Sequence, residues 1–255
     1  MKIDFRKMKI FIFKAARELA GILLVIVFIS PFLRAGSFQG LSQEKDVLEK
    51  LKKGKIVARI SKLPEVNTYK CEAMGIVYAP RQLLWKILSD YNNFKYFMPN
   101  IKESFMVSPE GLEAFPEIRE SQIEDWQGLE KKLLRFKQQE IKGDTFYFYN
   151  CLNLPWPLKD RYYILKMKRK PEEFTFSWTL YAGNTKVNEG SWQLLSFQGS
   201  KLKTLAVYRL LTNPGVSVSP GLIKIAMKIT LPGTIKGLRK RALKLTLEER
   251  KNAQF

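Results

Sequence analysis

The chain has 255 residues, a hydrophobic content of 45% and a formal net charge of +20. That length and apolar content are sufficient for one sizeable hydrophobic core. The sequence contains no histidine, which excludes a Ser-His-Asp triad, a Cys-His nucleophile pair and any histidine-ligated metal site. Neither a P-loop nor a G-x-G-x-x-G pattern is present, so any catalysis must rely on Asp, Glu, Lys, Tyr or Cys side chains.

The first 37 residues have the composition of an export signal. A basic leader precedes an apolar run from Leu19 to Leu33, which at about 15 residues is shorter than the roughly 20 that a spanning helix needs. Ala35-Gly36-Ser37 then provides a small-x-small cleavage site. We expect residues 1–37 to be a signal peptide or, if they are not cleaved, an N-terminal membrane anchor. Residues 38–255 are then a single extracytoplasmic domain, periplasmic or secreted.

Hydrophobic periodicity predicts a short helix over 38–54 and strands over 56–63 and 68–78. Along the second strand Tyr69, Cys71, Ala73, Gly75 and Val77 share one face. Because several of these side chains are small, we expect this face to leave space for a ligand, with Tyr69, Ala73 and Gly75 contacting it.

The pattern of residues in the middle of the chain predicts a sheet that is preceded by one helix and followed by another. A helix opens at Ala79-Pro80, with proline near its first turn. Period-2 runs separated by Gly, Asn, Pro or Lys clusters then predict strands near 101–107, 116–124, 130–142, 145–152, 161–170, 173–182, 187–196 and 202–211. Helical spacing returns after residue 215, and we expect Pro232-Gly233 to interrupt that helix.

The segment from Pro155 to Arg161 reads Pro-Trp-Pro-Leu-Lys-Asp-Arg and lies between two apolar strands. Prolines on both sides of a tryptophan stop a ladder of backbone donors. The segment therefore predicts a rigid aromatic corner, followed by a charged pair, at the mouth of an enclosing sheet.

These segments resemble the START-like, or SRPBCC, superfamily of helix-grip proteins, which includes lipid-transfer START domains, polyketide cyclases and coenzyme Q-binding proteins. The matching pieces are Ala79-Pro80 with Leu84-Trp85, Leu88-Ser89-Asp90-Tyr91, Phe97-Met98-Pro99 and the corner, which is similar to a PWPLxDRD segment with Tyr162 in place of the last acid. The resemblance implies an α+β helix-grip fold: a curved antiparallel β-sheet wrapped around a long C-terminal α-helix, with a hydrophobic cavity between them.

Several side chains are candidates for ligand contact in such a cavity. Trp156 could form its gate or wall, or simply pack on the hairpin. Asp160 and Arg161 could orient a polar head group, or be a solvated pair. Phe97 and Met98 could form part of a lid, or cap a helix.

The C-terminal helix has a basic face formed by Lys236, Arg239, Lys240, Arg241 and Lys244. Such a face can contact anionic lipid head groups, with each base contributing about 1 kcal/mol. A solvated face opposite a core-facing stripe is the alternative. Nucleic acid is not an expected partner, because no nucleic-acid motif is visible.

Two cysteines, Cys71 and Cys151, lie on predicted strands. They can be buried free thiols or, in an oxidising compartment, a pair. We expect no metal and no cofactor, and a monomer.

Two functions fit this pattern. The first is non-catalytic binding or transport of a hydrophobic ligand, a lipid, quinone or similar molecule, near a membrane. The second is a cyclase-like or dehydratase-like enzyme using Asp160, Glu72 or Tyr163 for acid–base chemistry. The absence of histidine removes the usual proton shuttle and favours the binder.

Overall fold

The computed structural model describes residues 38–65, 67–119, 123–154, 159–215 and 219–252. The N-terminal segment 1–37 and Trp156 lie outside these ranges, so the expectations about export and about a tryptophan gate stay predictions.

The helices and strands follow each other along the chain with short connections. In chain order they are α1 (Phe38–Lys52), β1 (Val57–Lys62), β2 (Tyr69–Val77), α2 (Arg81–Ser89), β3 (Ile101–Val107), α3 (Pro109–Glu113), α4 (Pro116–Arg119), α5 (Trp126–Leu133), β4 (Lys137–Gln138), β5 (Thr145–Leu152), β6 (Arg161–Lys170), β7 (Thr175–Gly183), β8 (Val187–Ser196), β9 (Thr204–Asn213) and α6 (Pro220–Asn252).

Within the described residues the strands form one nine-stranded antiparallel sheet in the order β1-β2-β9-β8-β7-β6-β5-β3-β4. Strands β5 to β9 are consecutive hairpin neighbours, and β2 pairs with β9 along its whole length. The sheet curves around the 33-residue helix α6. The expected α+β helix-grip architecture is confirmed.

Helices α6 and α2 pack on the concave face of the sheet. Ile235 and Leu238 of α6 and Leu84 of α2 are fully buried in the main hydrophobic core. Cys71 of β2 belongs to this core and is a free thiol.

The convex face is covered at both ends. Near β2, Leu51 of α1 packs with Met74 and Ile76. At the other end, Leu133 of α5 packs in a cluster that contains Cys151 of β5, which is also a free thiol. The two cysteines therefore lie on opposite faces of the sheet.

The strands predicted over 116–124 and 130–142 are wrong. The chain forms α4 and α5 there, and among the described residues of the two ranges only Lys137–Gln138 forms a strand. Trp126, Leu129 and Leu133 have the i, i+3, i+7 spacing of a helix face, and Asp125 caps the helix by accepting a hydrogen bond from Gly128 N at 2.8 Å.

Helix α6 also continues through Pro232, where we expected an interruption. An internal proline costs a helix about 3 kcal/mol, and burial of Leu231 and Ile235 on either side opposes that cost. None of the described helices is both long and apolar enough to cross a bilayer.

Candidate functional site

A cavity of about 200 Å³ lies between the concave face of the sheet and the N-terminal half of α6. Its sheet side is rich in aromatic side chains, and its helix side is mostly aliphatic. Besides the residues discussed below, the lining of the cavity includes Tyr91, Phe94, Phe148, Ile101, Leu152, Leu154, Leu210, Pro214, Ala226, Thr230 and Thr234. An enclosed apolar volume with a few polar groups is the usual form of a small-molecule site.

Strand β6 supplies one wall because its side chains alternate between the two faces of the sheet. Arg161, Tyr163, Leu165 and Met167 all line the cavity. Tyr162 points to the convex face, where its ring stacks on Trp126 at a centroid distance of 5.9 Å.

Aromatic rings of β7, β8 and β9 form another part of the sheet side. Tyr208 stacks on Trp178 at 5.6 Å and contacts Trp192 at 4.8 Å, measured between ring centroids. The indole Nε1 of Trp178 donates to Asn188 Oδ1 at 3.0 Å. This bond satisfies the buried donor and fixes the orientation of the Trp178 ring.

Burial raises the pKa of the phenols of Tyr91, Tyr163 and Tyr208, all of which face the cavity. Their neutral forms are therefore favoured, and none is suited to act as a tyrosinate base near neutral pH.

Two of the predicted ligand contacts line the cavity: Met98 and Arg161. Phe97 packs beside it, with the Arg241 guanidinium 5.8 Å from its ring centroid. The carboxylate of Asp160 does not reach the cavity; it pairs with Lys102 Nζ at 3.2 Å.

Tyr69, Ala73 and Gly75, which we predicted to contact a ligand, lie apart from this cavity. All three are buried, and none of them belongs to the described cavity wall. The face is packed against α6: a Cβ added at Gly75 would lie 2.8 Å from Ile235 Cγ2. The small residues of β2 serve the close approach of the helix.

The five basic residues predicted for membrane contact separate into two groups. Lys236, Lys240 and Lys244 are exposed. Arg239 is half-buried and donates to two backbone carbonyls, and Arg241 pairs with Asp90 at 3.7 Å. The two arginines therefore stabilise the fold.

A family model described as "Polyketide cyclase / dehydrase and lipid transport" matches residues 77–231, more than half of the chain. The chain belongs to this family. The match runs from the end of β2 to the middle of α6, and so includes most of the cavity wall. A comparison with curated protein sequences gives no match.

Solved structures support the fold. Human STARD10 is similar with a TM-score of 0.53 and 14% identity, over 87% of this chain and 85% of that one. A STAR-related lipid transfer protein from Xanthomonas axonopodis has a TM-score of 0.51 and 16% identity, over 73% and 93%. A Thermus thermophilus protein has a TM-score of 0.51 and 14% identity, over 69% and 98%.

The acid–base candidates from the sequence are not brought together. Glu72 lies on the opposite face of β2 from the core-facing side chains, where it is fully buried and accepts from Arg209 Nε at 3.0 Å. Burial raises the pKa of Glu72, and the charge of Arg209 partly opposes this. Of the three candidates only Tyr163 faces the cavity.

Most of the aromatic and polar wall was not predicted from the sequence. Trp178, Trp192, Thr185 and Asn188 were not among the predicted contacts, yet all line the cavity. Trp178 lies on β7, Asn188 and Trp192 lie on β8, and Thr185 lies between the two strands. The even spacing of Asn188 and Trp192 was the available signal, but alternation does not tell which side of the strand lies on the concave face of the sheet.

Proposed function

We propose that this protein binds and carries an apolar small molecule in the cavity between its sheet and α6, without catalysing a reaction. The observation that carries the proposal is the wall itself. In its described part the wall contains tryptophan, tyrosine and aliphatic side chains, no Asp, Glu or Lys, and a single arginine. A group that could transfer protons near neutral pH is therefore missing from this part of the wall.

The family also includes cyclases and dehydrases by its description, so an enzyme acting on an apolar substrate in the same cavity is the second candidate. Tyr163 is the observation that favours it. Its phenol faces the cavity and hydrogen-bonds Asn188, and burial raises its pKa, so the phenol keeps its proton and could donate a hydrogen bond to a bound carbonyl.

Filling the cavity with a bulky side chain tests whether the protein carries its ligand there. Ala226 faces the cavity from α6, whereas the adjacent Ile225 is 57% exposed on the outer face. We expect Ala226→Trp to reduce uptake of a fluorescent apolar probe about tenfold or more, and Ile225→Trp to leave it unchanged. Thermal unfolding of both variants shows whether the fold is retained. Equal probe uptake by a folded Ala226→Trp protein would place the site elsewhere.

Native mass spectrometry separates the two candidates. Protein purified from its own membrane fraction should contain an unmodified apolar molecule. Conversion of that molecule on incubation, lost in Tyr163→Phe, would support the enzyme instead.

We propose further that ligand exchange takes place at an anionic membrane. Leu222, Ile225 and Ile229 form one exposed apolar stripe on α6, directly outside the helix turns that line the cavity. The same helix face continues into Lys236 and Lys240, since spacings of four and seven residues keep side chains on one side of a helix. Apolar insertion beside basic side chains is the pattern of helices that lie in a membrane interface.

A further inference from the structure

Arg161 is the one charged side chain in the described wall of an otherwise apolar cavity. It is the first residue of β6 and is paired with Leu152 of β5. Only 9% of the residue is exposed. Strand alternation directs its side chain to the concave face, as it does for Tyr163.

The backbone around Arg161 is held on both sides. Asn184 donates from Nδ2 to the main-chain oxygen of Asp160 at 3.2 Å and accepts from Tyr162 N at 2.8 Å. The carboxylate of Asp160 is directed away to Lys102. These contacts fix the start of the strand with the acid outside the cavity and the arginine inside it.

The guanidinium forms no ion pair with a described residue, although the nearby charge of Asp160 partly opposes the effect of burial on its pKa. Its Nη1 donates to the main-chain oxygen of Asp160 at 3.2 Å, and its Nε is buried without a hydrogen-bond acceptor. Burial lowers the pKa of Arg161, but a guanidinium remains protonated in proteins. A buried cation without a counter-ion is costly to the fold, so the position is explained best by a ligand that supplies the negative charge.

Two further residues of the cavity wall each have a buried polar atom without a hydrogen-bond partner. They are Oδ1 of Asn150 and Oγ1 of Thr185. Asn150 lies on β5 two residues before the partner of Arg161, and residues in this diagonal relation lie within reach of each other across two strands. A guanidinium, an amide and a hydroxyl, each with one buried polar atom that has no hydrogen-bond partner, give a mostly apolar wall its polar groups.

We propose that the cavity selects molecules with an anionic head group, a carboxylate or a phosphate, which binds Arg161 while the apolar part lies against Trp178 and Trp192. The inference rests on the proposed function, since it requires that the cavity takes up an apolar molecule. It adds the chemical class of that molecule and the residue that distinguishes it from a neutral lipid.

Three probes with the same chain and different head groups test it: hexadecanoate, hexadecyl phosphate and hexadecanol. Binding to the full chain is measured by tryptophan fluorescence and calorimetry below the aggregation limit of each probe. We expect an anionic probe to bind about tenfold to a hundredfold more tightly than hexadecanol, because charge-assisted hydrogen bonds have this range of strength. Whichever anion binds more tightly identifies the head group.

Variants of Arg161 test whether this residue causes the preference for anionic probes. Arg161→Gln should remove the preference, so that the three probes bind with similar affinity, and Arg161→Lys should retain part of it. Hexadecanoate binding should also weaken as the pH falls through the pKa of its carboxyl, whereas hexadecanol binding should not. This measurement on the unmodified protein keeps the test valid even if the variants do not fold.

The outcomes are distinguishable. Equal affinity of the unmodified protein for all three probes overturns the anionic head group and leaves the proposed function standing. Binding of none of the probes overturns both. A preference for anions that survives in a folded Arg161→Gln protein overturns the role of Arg161.

Discussion

The Nε of Arg239 donates a hydrogen bond to the main-chain oxygen of Ile76 at 2.9 Å and thereby fastens α6 to β2. Its Nη1 donates to Gly54 O at 3.0 Å, beyond the end of α1. One side chain thus connects the C-terminal helix, the sheet and the N-terminal helix region.

Replacing Arg239 should therefore destabilise the protein. We expect Arg239→Met to lower the free energy of unfolding by about 1–3 kcal/mol, the range for hydrogen bonds from a charged donor. Lys240→Met, one residue further on and exposed, should change it by less than about 0.5 kcal/mol. Urea unfolding measures both. Equal effects would show that Arg239 contributes no more than a surface base.

Gly75 should not tolerate a side chain. A Cβ at this position would lie 2.8 Å from Ile235 Cγ2, and Ile235 is fully buried, so the helix or the isoleucine must move. We expect Gly75→Ala to cost about 1–3 kcal/mol, as overpacking does in a filled core. Gly221→Ala in the first turn of α6 is the control, because the nearest atom to its Cβ is 3.9 Å away. A stable Gly75→Ala protein would mean that this face has the space that the sequence suggested.

Much of the fold could be predicted from the sequence, because strands and helices are indicated by the spacing of apolar residues that are close together in the chain. Alternation and helical spacing predicted eight of the nine described strands and the C-terminal helix, and the motif around Phe97-Met98-Pro99 indicated the helix-grip arrangement. The helices at 116–119 and 126–133 were taken for strands, although the cap at Asp125 was visible in the sequence.

The site was harder to predict, because it depends on which side of each strand lies on the concave face of the sheet. Arg161 and Met98 were identified from the motif, and both line the cavity. Gly75 was assigned to the ligand on the size of its side chain, but small side chains also permit close packing, and only the position of Ile235 distinguishes the two. The separation of Arg239 from Lys240 likewise depends on carbonyl groups that are distant in sequence.

Both cysteines should be free and unreactive in the native protein. Burial raises the pKa of the Cys71 and Cys151 thiols from 9.0 to about 12, so on the order of one thiol in ten thousand is ionised at pH 8. We expect no fast reaction with DTNB at that pH, and two equivalents after denaturation without reductant. Fewer than two would indicate a disulfide.

The same shift predicts a loss of stability at alkaline pH. The unfolded thiols lose their protons near pH 9, whereas the folded thiols keep them until about pH 12. The folded state therefore binds more protons in this window, and its stability is fully present below pH 9 and falls as the pH rises toward 12. Cys71→Ala should make this part of the pH profile shallower, as measured by thermal unfolding between pH 8 and 10.

Lys236 and Lys240 should supply the electrostatic part of membrane binding. Lys236→Gln with Lys240→Gln should weaken binding to vesicles containing phosphatidylglycerol and reduce its dependence on salt. These positions are preferable to Arg241, since Arg241 pairs with Asp90 and its replacement would also disturb the fold. Unchanged binding and salt dependence would assign the two lysines to solvent alone.

The exposed apolar stripe on α6 should supply the hydrophobic part of membrane binding. Ile225 and Ile229 are 57% and 70% exposed, and burying each in a bilayer contributes on the order of 1 kcal/mol or more. We expect Ile225→Ser with Ile229→Ser to weaken binding to anionic vesicles about tenfold or more, and to slow transfer of a bound probe between vesicles. Leu202→Ser is the matched control, because Leu202 is 68% exposed and lies between β8 and β9, away from this helix. Equal loss of binding in the control would mean that general surface hydrophobicity drives adsorption, and unchanged binding in the double variant would remove α6 from the membrane contact.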